Sequence, residues 1–296
     1  SMAHINRLDE DGVRFRSIVD GAWVDLGPER SMEVQNNIGA DIIMAFDDCP
    51  PAGDPKEVVG FRKRVTTDGH RGLEHHDRLR DAHERTLRWL DRCIKAHQRP
   101  SEQALFGIVQ GGTDLELRAA SVEAICQHDL PGFAVGGVAV GERPEQIAEV
   151  VAFTAPRLPA QKPRYLMGVG YEQDIVHAVR SGIDMFDCVL PTRNARNAQA
   201  FTRSGRMNLK NAKFAEEDAP IDASCDCATC TGGYSRAYIR HLLNASESMA
   251  GSLVATHNLR HFQRLMLDIR QAIRDNDWSV FRAGWPGLRT DLAPLS

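Results

Sequence analysis

The chain has 296 residues, 42% hydrophobic and 26% charged, with seven cysteines and a formal net charge of −4. This is a globular composition that excludes disordered and fibrous classes, and its slight acidity excludes a wholesale nucleic-acid coat but not a local basic patch. The longest unbroken apolar run, residues 42–46, cannot cross a bilayer, and the opening Ser1-Met2-Ala3-His4 lacks the regions of a secretory signal. A cytoplasmic protein with reduced thiols is therefore expected.

Along the chain, residues 15–19 are a possible first strand and residues 41–46 read as a buried one. A long amphipathic helix follows, with Leu79, Leu87, Leu90 and Ile94 at helical spacing. Strands are then predicted at 105–109, 132–135, 165–169 and 183–186. Helices are predicted between them, over 114–127, from Pro144, and around 174–180. The segment after Ala198 is one more possible strand. Alternation of this kind predicts a parallel sheet covered by helices.

Polar or glycine residues follow each strand: Asp47-Asp48-Cys49, Gln110-Gly111-Gly112, Gly136-Gly137, Gly168-Val169-Gly170 and Asp187-Cys188. A (β/α)8 barrel places its site at the C-terminal ends of many strands, whereas a doubly wound sheet uses one switch point. The barrel is preferred, although the visible strands fall short of the eight it needs, so its first strand or strands are expected to be missing. The expected division is barrel over 1–216, a zinc-binding insertion over 217–263, and a C-terminal helical segment over 264–296 packing on the barrel.

Cys225, Cys227 and Cys230 put three thiols into six residues, and His257 or His241 offers an imidazole. Three thiolates and one imidazole make a closed, structural zinc site. His257, at Thr256-His257-Asn258 between two expected helical stretches, is preferred. Cys93 and Cys126 read as packing thiols on helix faces. Between Arg193 and Ala215 lie Arg193, Arg196, Arg203, Arg206, Lys210 and Lys213 with no acidic residue. A solvated hairpin edge would account for this run. Its position between the Asp187 carboxylate and the thiol cluster favours instead a polyanion held by its backbone.

The stretches Phe186-Asp187-Cys188-Val189-Leu190-Pro191-Thr192-Arg193-Asn194-Ala195-Arg196, Gly107-Ile108-Val109-Gln110-Gly111, Gly136-Gly137-Val138-Ala139-Val140-Gly141-Glu142 and Leu166-Met167-Gly168-Val169-Gly170 carry a resemblance. They resemble bacterial queuine tRNA-ribosyltransferases, the tRNA-guanine transglycosylases, from about Gly12 to the mid-280s. The resemblance implies a (β/α)8 barrel with a zinc-binding insertion, typically homodimeric. Its activity would be exchange of guanine at the wobble position of tRNAs with G-U-N anticodons (Asp, Asn, His and Tyr types) for a 7-deazaguanine base. By the same resemblance Asp187 is the nucleophile at the ribose C1′, and Asp47 and Gln110 hydrogen-bond the purine. Gly136, Gly137 and Val138 line the pocket by their backbone, and Met167 forms a wall stacked on the base. Arg193 and Arg196 grip the anticodon loop, with Arg206, Lys210 and Lys213 continuing the basic run. Cys225, Cys227, Cys230 and His257 hold zinc. Cys49 and Val140 match the bacterial pattern, which implies 7-aminomethyl-7-deazaguanine as the incoming base.

Two departures accompany the match. The family's Asp-Ser-Gly-Gly-Phe/Tyr-Gln motif, which supplies a general acid/base aspartate, would fall before residue 1, so a fragment or a naturally short chain is expected. Residues 56–77, with His70, His75 and His76, exceed the usual connection and are expected to form a mobile surface loop rather than a metal site. A non-catalytic tRNA-binding homologue is the competing expectation. A metal-dependent barrel hydrolase is disfavoured, since no His-x-His set stands at a strand end.

Overall fold

A computed structural model of the protein describes residues 6–52 and 74–288. The loop expected over 56–77 lies outside the described residues except for its last four, and so does His70. The chain divides into two compact units, residues 1–169 with 178–186, and residues 170–177 with 187–296.

The first unit opens with an antiparallel meander of β1 (Asn6–Leu8), β2 (Val13–Arg16) and β3 (Trp23–Leu26), then α1 (Pro28–Ile38). Proline suits the first turn of a helix because its missing N–H would have had no partner there. Five parallel strands follow: β4 (Ile42–Met44), β5 (Ala104–Val109), β6 (Gly132–Val135), β7 (Arg164–Leu166) and β8 (Met185–Phe186). Between them run α2 (His75–Ala96), α3 (Leu115–Ile125), α4 (Pro144–Thr154) and α5 (Glu172–Arg180), the last beginning in the second unit. The strands lie side by side in sequence order, β4-β5-β6-β7-β8. A doubly wound sheet would reverse its order at a switch point, and this sheet does not. The barrel-type choice holds, as a half-barrel of five strands among the described residues.

The core explains the helix faces. Leu90 and Cys93 of α2, Val122 and Ile125 of α3, and Val150 and Val151 of α4 pack with Ile43, Leu105, Val109, Phe133, Val135 and Leu166 of the sheet. Each large apolar side chain buried there contributes roughly 1.5–3 kcal/mol, far more than helix propensity does, so packing sets each face. On α2 the buried stripe runs through Leu79, Ala82, Thr86, Trp89, Leu90 and Cys93, which leaves the expected core residue Ile94 36% exposed. The extra strands allowed by the sequence are not in this sheet. Phe15 pairs within the meander, and Ile18 and Val19 stand 86% and 91% exposed at its turn. The segment after Ala198 is an antiparallel hairpin, β9 (Gln199–Thr202) with β10 (Gly205–Asn208), in the second unit. Both are short strands with a wet face, and neither has the two-sided burial of a parallel barrel strand.

The second unit also holds α6 (Leu190–Arg196), α7 (Ala228–Thr231), α8 (Arg236–Asn244), α9 (Ser248–Asp275) and α10 (Ser279–Gly284). Its core joins Ala195, Ala200, Leu209, Phe214, Ile221, Ile239 and Val254. Among the described residues no helix is long and apolar enough to cross a membrane.

Candidate active site and metal centre

In the first unit, the segments leaving β4, β5 and β6 converge. Asp47, at the end of the β4 segment, accepts a hydrogen bond on Oδ2 from Gln110 Nε2 at 2.6 Å, just past β5. Burial pushes the Asp47 carboxyl up to about 6; the neighbouring Asp48 charge adds to the rise and the Gln110 bond opposes it. Gln110 is 1% exposed, and its Oε1 is buried without a partner among the described residues. The turn after β6, Gly136-Gly137-Val138, is buried against it. Gly137 has φ +62°, and a Cβ there would stand 2.4 Å from Gln110 Oε1, so only glycine closes this turn. Cys49 is exposed and Val140 half-buried beside these segments, while Met167 is half-buried just past β7.

Three features that fix this arrangement are absent from the sequence expectations. Asp48, 2% exposed, receives Arg78 at 2.9 and 2.7 Å and Arg85 at 2.6 Å, so the β4 segment is pinned to α2. Glu142 accepts from the Ala139 amide and, at 3.0 Å, from the Val140 amide, folding the chain back beyond the turn. Arg118 of α3 is fully buried and donates to four carbonyl oxygens: Gly112 at 2.9 Å, Val109 at 3.3 Å, Gly136 at 2.7 Å and Gly137 at 2.9 Å. Ser121, one turn on, accepts from the Gln110 amide at 3.1 Å. Arg118, Ser121, Val122 and Ile125 share the buried face of α3. That polar pair on an otherwise apolar stripe was the available signal. A charged residue mid-helix is ordinarily assigned to solvent.

In the second unit, Asp187 is exposed immediately after β8. The adjoining turn is close-packed, since a Cβ on Gly170 would fall 2.2 Å from Cys188 Sγ. Asp187 is followed by α6, which carries Arg193 and Arg196. Both are exposed, as are Arg206, Lys210 and Lys213. Arg203, from the same run, is instead tied to Asp268 at 2.6 Å.

Cys225, Cys227, Cys230 and His257 place their ligand atoms within 4.8 Å of one another. His257 Nδ1 lies 3.3 Å from Cys230 Sγ and 3.8 Å from Cys227 Sγ, while Nε2 is 2.7 Å from the Phe201 carbonyl. That carbonyl can only accept, so Nε2 carries the proton and the Nδ1 lone pair faces the thiols, the tautomer a metal needs. Burial also lowers the His257 pKa, keeping the ring neutral, and raises those of Cys225 and Cys230. Thiols that resist ionisation on burial become ligands once a cation compensates their charge. Three sulfurs and an imidazole nitrogen therefore fit a four-coordinate metal. The choice of His257 over His241 holds, but His257 sits inside one continuous helix, α9, rather than between two. The polar Thr256-His257-Asn258 suggests a break; in the fold His257 and Asn258 are fully buried on the stripe of Ala250, Val254, Leu265 and Ile269.

Asn258 ties the helix that carries His257 to the segment that follows Asp187 in the chain. Its Oδ1 accepts from the Phe201 amide at 3.0 Å, and its Nδ2 donates to the Pro191 and Gln199 carbonyls, each at 2.9 Å. Consecutive residues of α9 thus hold the metal cluster and both ends of the arginine-bearing segment.

Residues 1–287 match the family model described as Queuine tRNA-ribosyltransferase. The chain belongs to this family. It is 50% identical over 273 residues to a queuine tRNA-ribosyltransferase of Nostoc sp., covering 92% of this chain and 67% of that protein. Against the enzyme of the same name from Thermus thermophilus the identity is 47% over 281 residues, or 95% of this chain and 67% of the relative. A Bacillus thuringiensis relative is 47% identical over 282 residues, with 95% and 69% covered.

Proposed function

We propose that the protein exchanges guanine at the wobble position of tRNAs with G-U-N anticodons (Asp, Asn, His and Tyr types) for 7-aminomethyl-7-deazaguanine. The observation that carries this reading is the Asp47–Gln110 pair, set against a glycine turn at successive strand ends in a chain of this family. A carboxylate and an amide side by side match the alternating donors and acceptors along the amide and amino edge of guanine. Met167 forms a wall of the pocket, and Cys49 and Val140 leave room for the small aminomethyl group.

Asp187 is the nucleophile. Its carboxylate oxygen bonds to the ribose C1′ as the C1′–N9 bond to guanine breaks, the electron pair leaving with the base. The departing guanine takes up a proton; the incoming base gives one up from its own ring nitrogen as that nitrogen attacks C1′, the C1′–O bond to Asp187 breaks, and two inversions give net retention. The nucleotide must be drawn out of its stack to reach the carboxylate. Arg193, Arg196, Arg206, Lys210 and Lys213 hold the phosphates of the anticodon stem-loop. Cys225, Cys227, Cys230 and His257 would hold zinc, which supplies a structural cross-link. The reading includes a homodimer and a cytoplasmic location, where the thiols stay reduced.

The test is incorporation of labelled guanine into an unmodified G-U-N tRNA, together with trapping of the tRNA adduct on a denaturing gel. Asp187→Ala should abolish both, and an adduct that survives the change would remove Asp187 as nucleophile. Binding of tRNA with neither exchange nor adduct in the unsubstituted protein would establish the non-catalytic alternative.

A further inference from the structure

Among the described residues Arg118 is a fully buried cation behind the strand-end pocket, and the functional reading gives it no role. Taking a guanidinium out of water is costly, and an arginine retained there normally meets a carboxylate. Among the described residues Arg118 has none in ion-pair range. Its partners are four backbone carbonyls, two of them on the consecutive residues Gly136 and Gly137.

Those two contacts have a stereochemical consequence. In a trans peptide the C=O and the next N–H point in opposite directions. Carbonyls of Gly136 and Gly137 turned onto Arg118 therefore turn the N–H groups of Gly137 and Val138 away from it. The Gln110 side chain, which holds Asp47, borders the same turn. Without Arg118, either peptide could rotate and offer a carbonyl, since glycine at 136 and 137 imposes little on its own backbone.

We propose that Arg118 is a positioning residue for the purine: it locks the Gly136-Gly137-Val138 peptides so that N–H donors, rather than carbonyls, meet the exocyclic oxygen of the base. The inference rests on the transglycosylase reading. The buried charge behind the turn adds to the effect. A cation on the carbonyl side of a peptide polarises it and makes its N–H a stronger donor. Burial lowers Arg118 to about 10, which still leaves it cationic at neutral pH.

The experiment compares guanine with 2-aminopurine, which keeps the amino group and ring but lacks the oxygen and, with it, the N1 proton; that second difference is common to all variants, so the change in preference between them reports on the oxygen. Calorimetric affinities are measured for the unsubstituted protein, Arg118→Lys and Arg118→Met, with circular dichroism to verify folding. The unsubstituted protein should prefer guanine. In Arg118→Met that preference should fall about tenfold, the scale of one well-made hydrogen bond, with Arg118→Lys recovering part of it. A fall in affinity for both bases with an unchanged ratio assigns Arg118 a structural role and overturns the proposal. If neither variant folds, amide resonances decide. Guanine must shift those of Gly137 and Val138 while 2-aminopurine leaves them in place, and equal shifts overturn the proposal. Failure of the unsubstituted protein to bind guanine defeats the functional reading itself, an outcome separable from all of these.

Discussion

The strand-end pocket of the first unit and the metal centre of the second are built by opposite means. The pocket gathers Asp47, Gln110 and Gly137 from three strand ends far apart in sequence, and its rigidity comes from Arg118, Asp48 and Glu142, behind or beside them. The metal centre takes three ligands from one six-residue stretch and borrows only His257 from afar. Long-range polar networks position the one; local spacing and ligand chemistry position the other. A pocket of the first kind fails by losing geometry, and a centre of the second kind fails by losing its fold.

The largest effect should therefore come from the metal. Cys227→Ser, or chelation, should cost several and up to about 10 kcal/mol of stability in the second unit. This would appear as early melting of its helices by circular dichroism and loss of tRNA binding. Zinc measured well below one equivalent in folded protein would contradict the site. Next, Asp48→Ala strands Arg78 and Arg85 without their carboxylate and should cost about 3–5 kcal/mol in urea unfolding. A loss under 1 kcal/mol would show that the pocket does not depend on this ion-pair cluster.

Asn258→Ala leaves the Phe201 amide and the Pro191 and Gln199 carbonyls unpaired, a cost of about 2–3 kcal/mol by the same measurement. Tighter zinc in that variant would refute the coupling between metal and segment.

Asp47→Asn has a sign that depends on pH. Folded Asp47 keeps its proton to about pH 6, whereas the unfolded carboxyl releases it near 3.8. Between those values the folded state binds more protons, so this group's contribution is present at low pH and lost as pH rises through 6. Asp47→Asn should match the unsubstituted melting temperature at pH 4, exceed it at pH 7.5, and exchange no guanine. Equal melting at both pH values would mean that Asp47 carries no such cost. Smallest of all, Arg206→Ala or Lys210→Ala should leave stability unchanged and reduce the salt dependence of tRNA binding by about one unit of slope each.

The same contrast decides what was legible in the sequence. The five parallel strands and their helices could be read because apolar runs alternate with amphipathic stretches; Gly132–Val135 and Pro144 fall where the periodicity puts them. Cys225, Cys227 and Cys230 were legible because thiol spacing carries coordination geometry. Arg118 was not, since a helical arginine bound to carbonyls reads like one in water, and its place on the stripe of Ser121, Val122 and Ile125 was the one mark it carried. The unbroken α9 was hidden by Thr256-His257-Asn258, three polar residues that suggest a turn until their partners are known. The meander at the start was obscured by strands too short to show a period.

One consequence of the His257–Asn258 adjacency concerns reciprocity. The metal cluster and the Pro191–Gln199 segment are fastened by neighbouring side chains on one helix, so ordering either reduces the freedom the other has left to lose. Linkage then runs both ways. Any ligand that grips the segment tightens the hold on a metal, and the metal strengthens that ligand by the same factor.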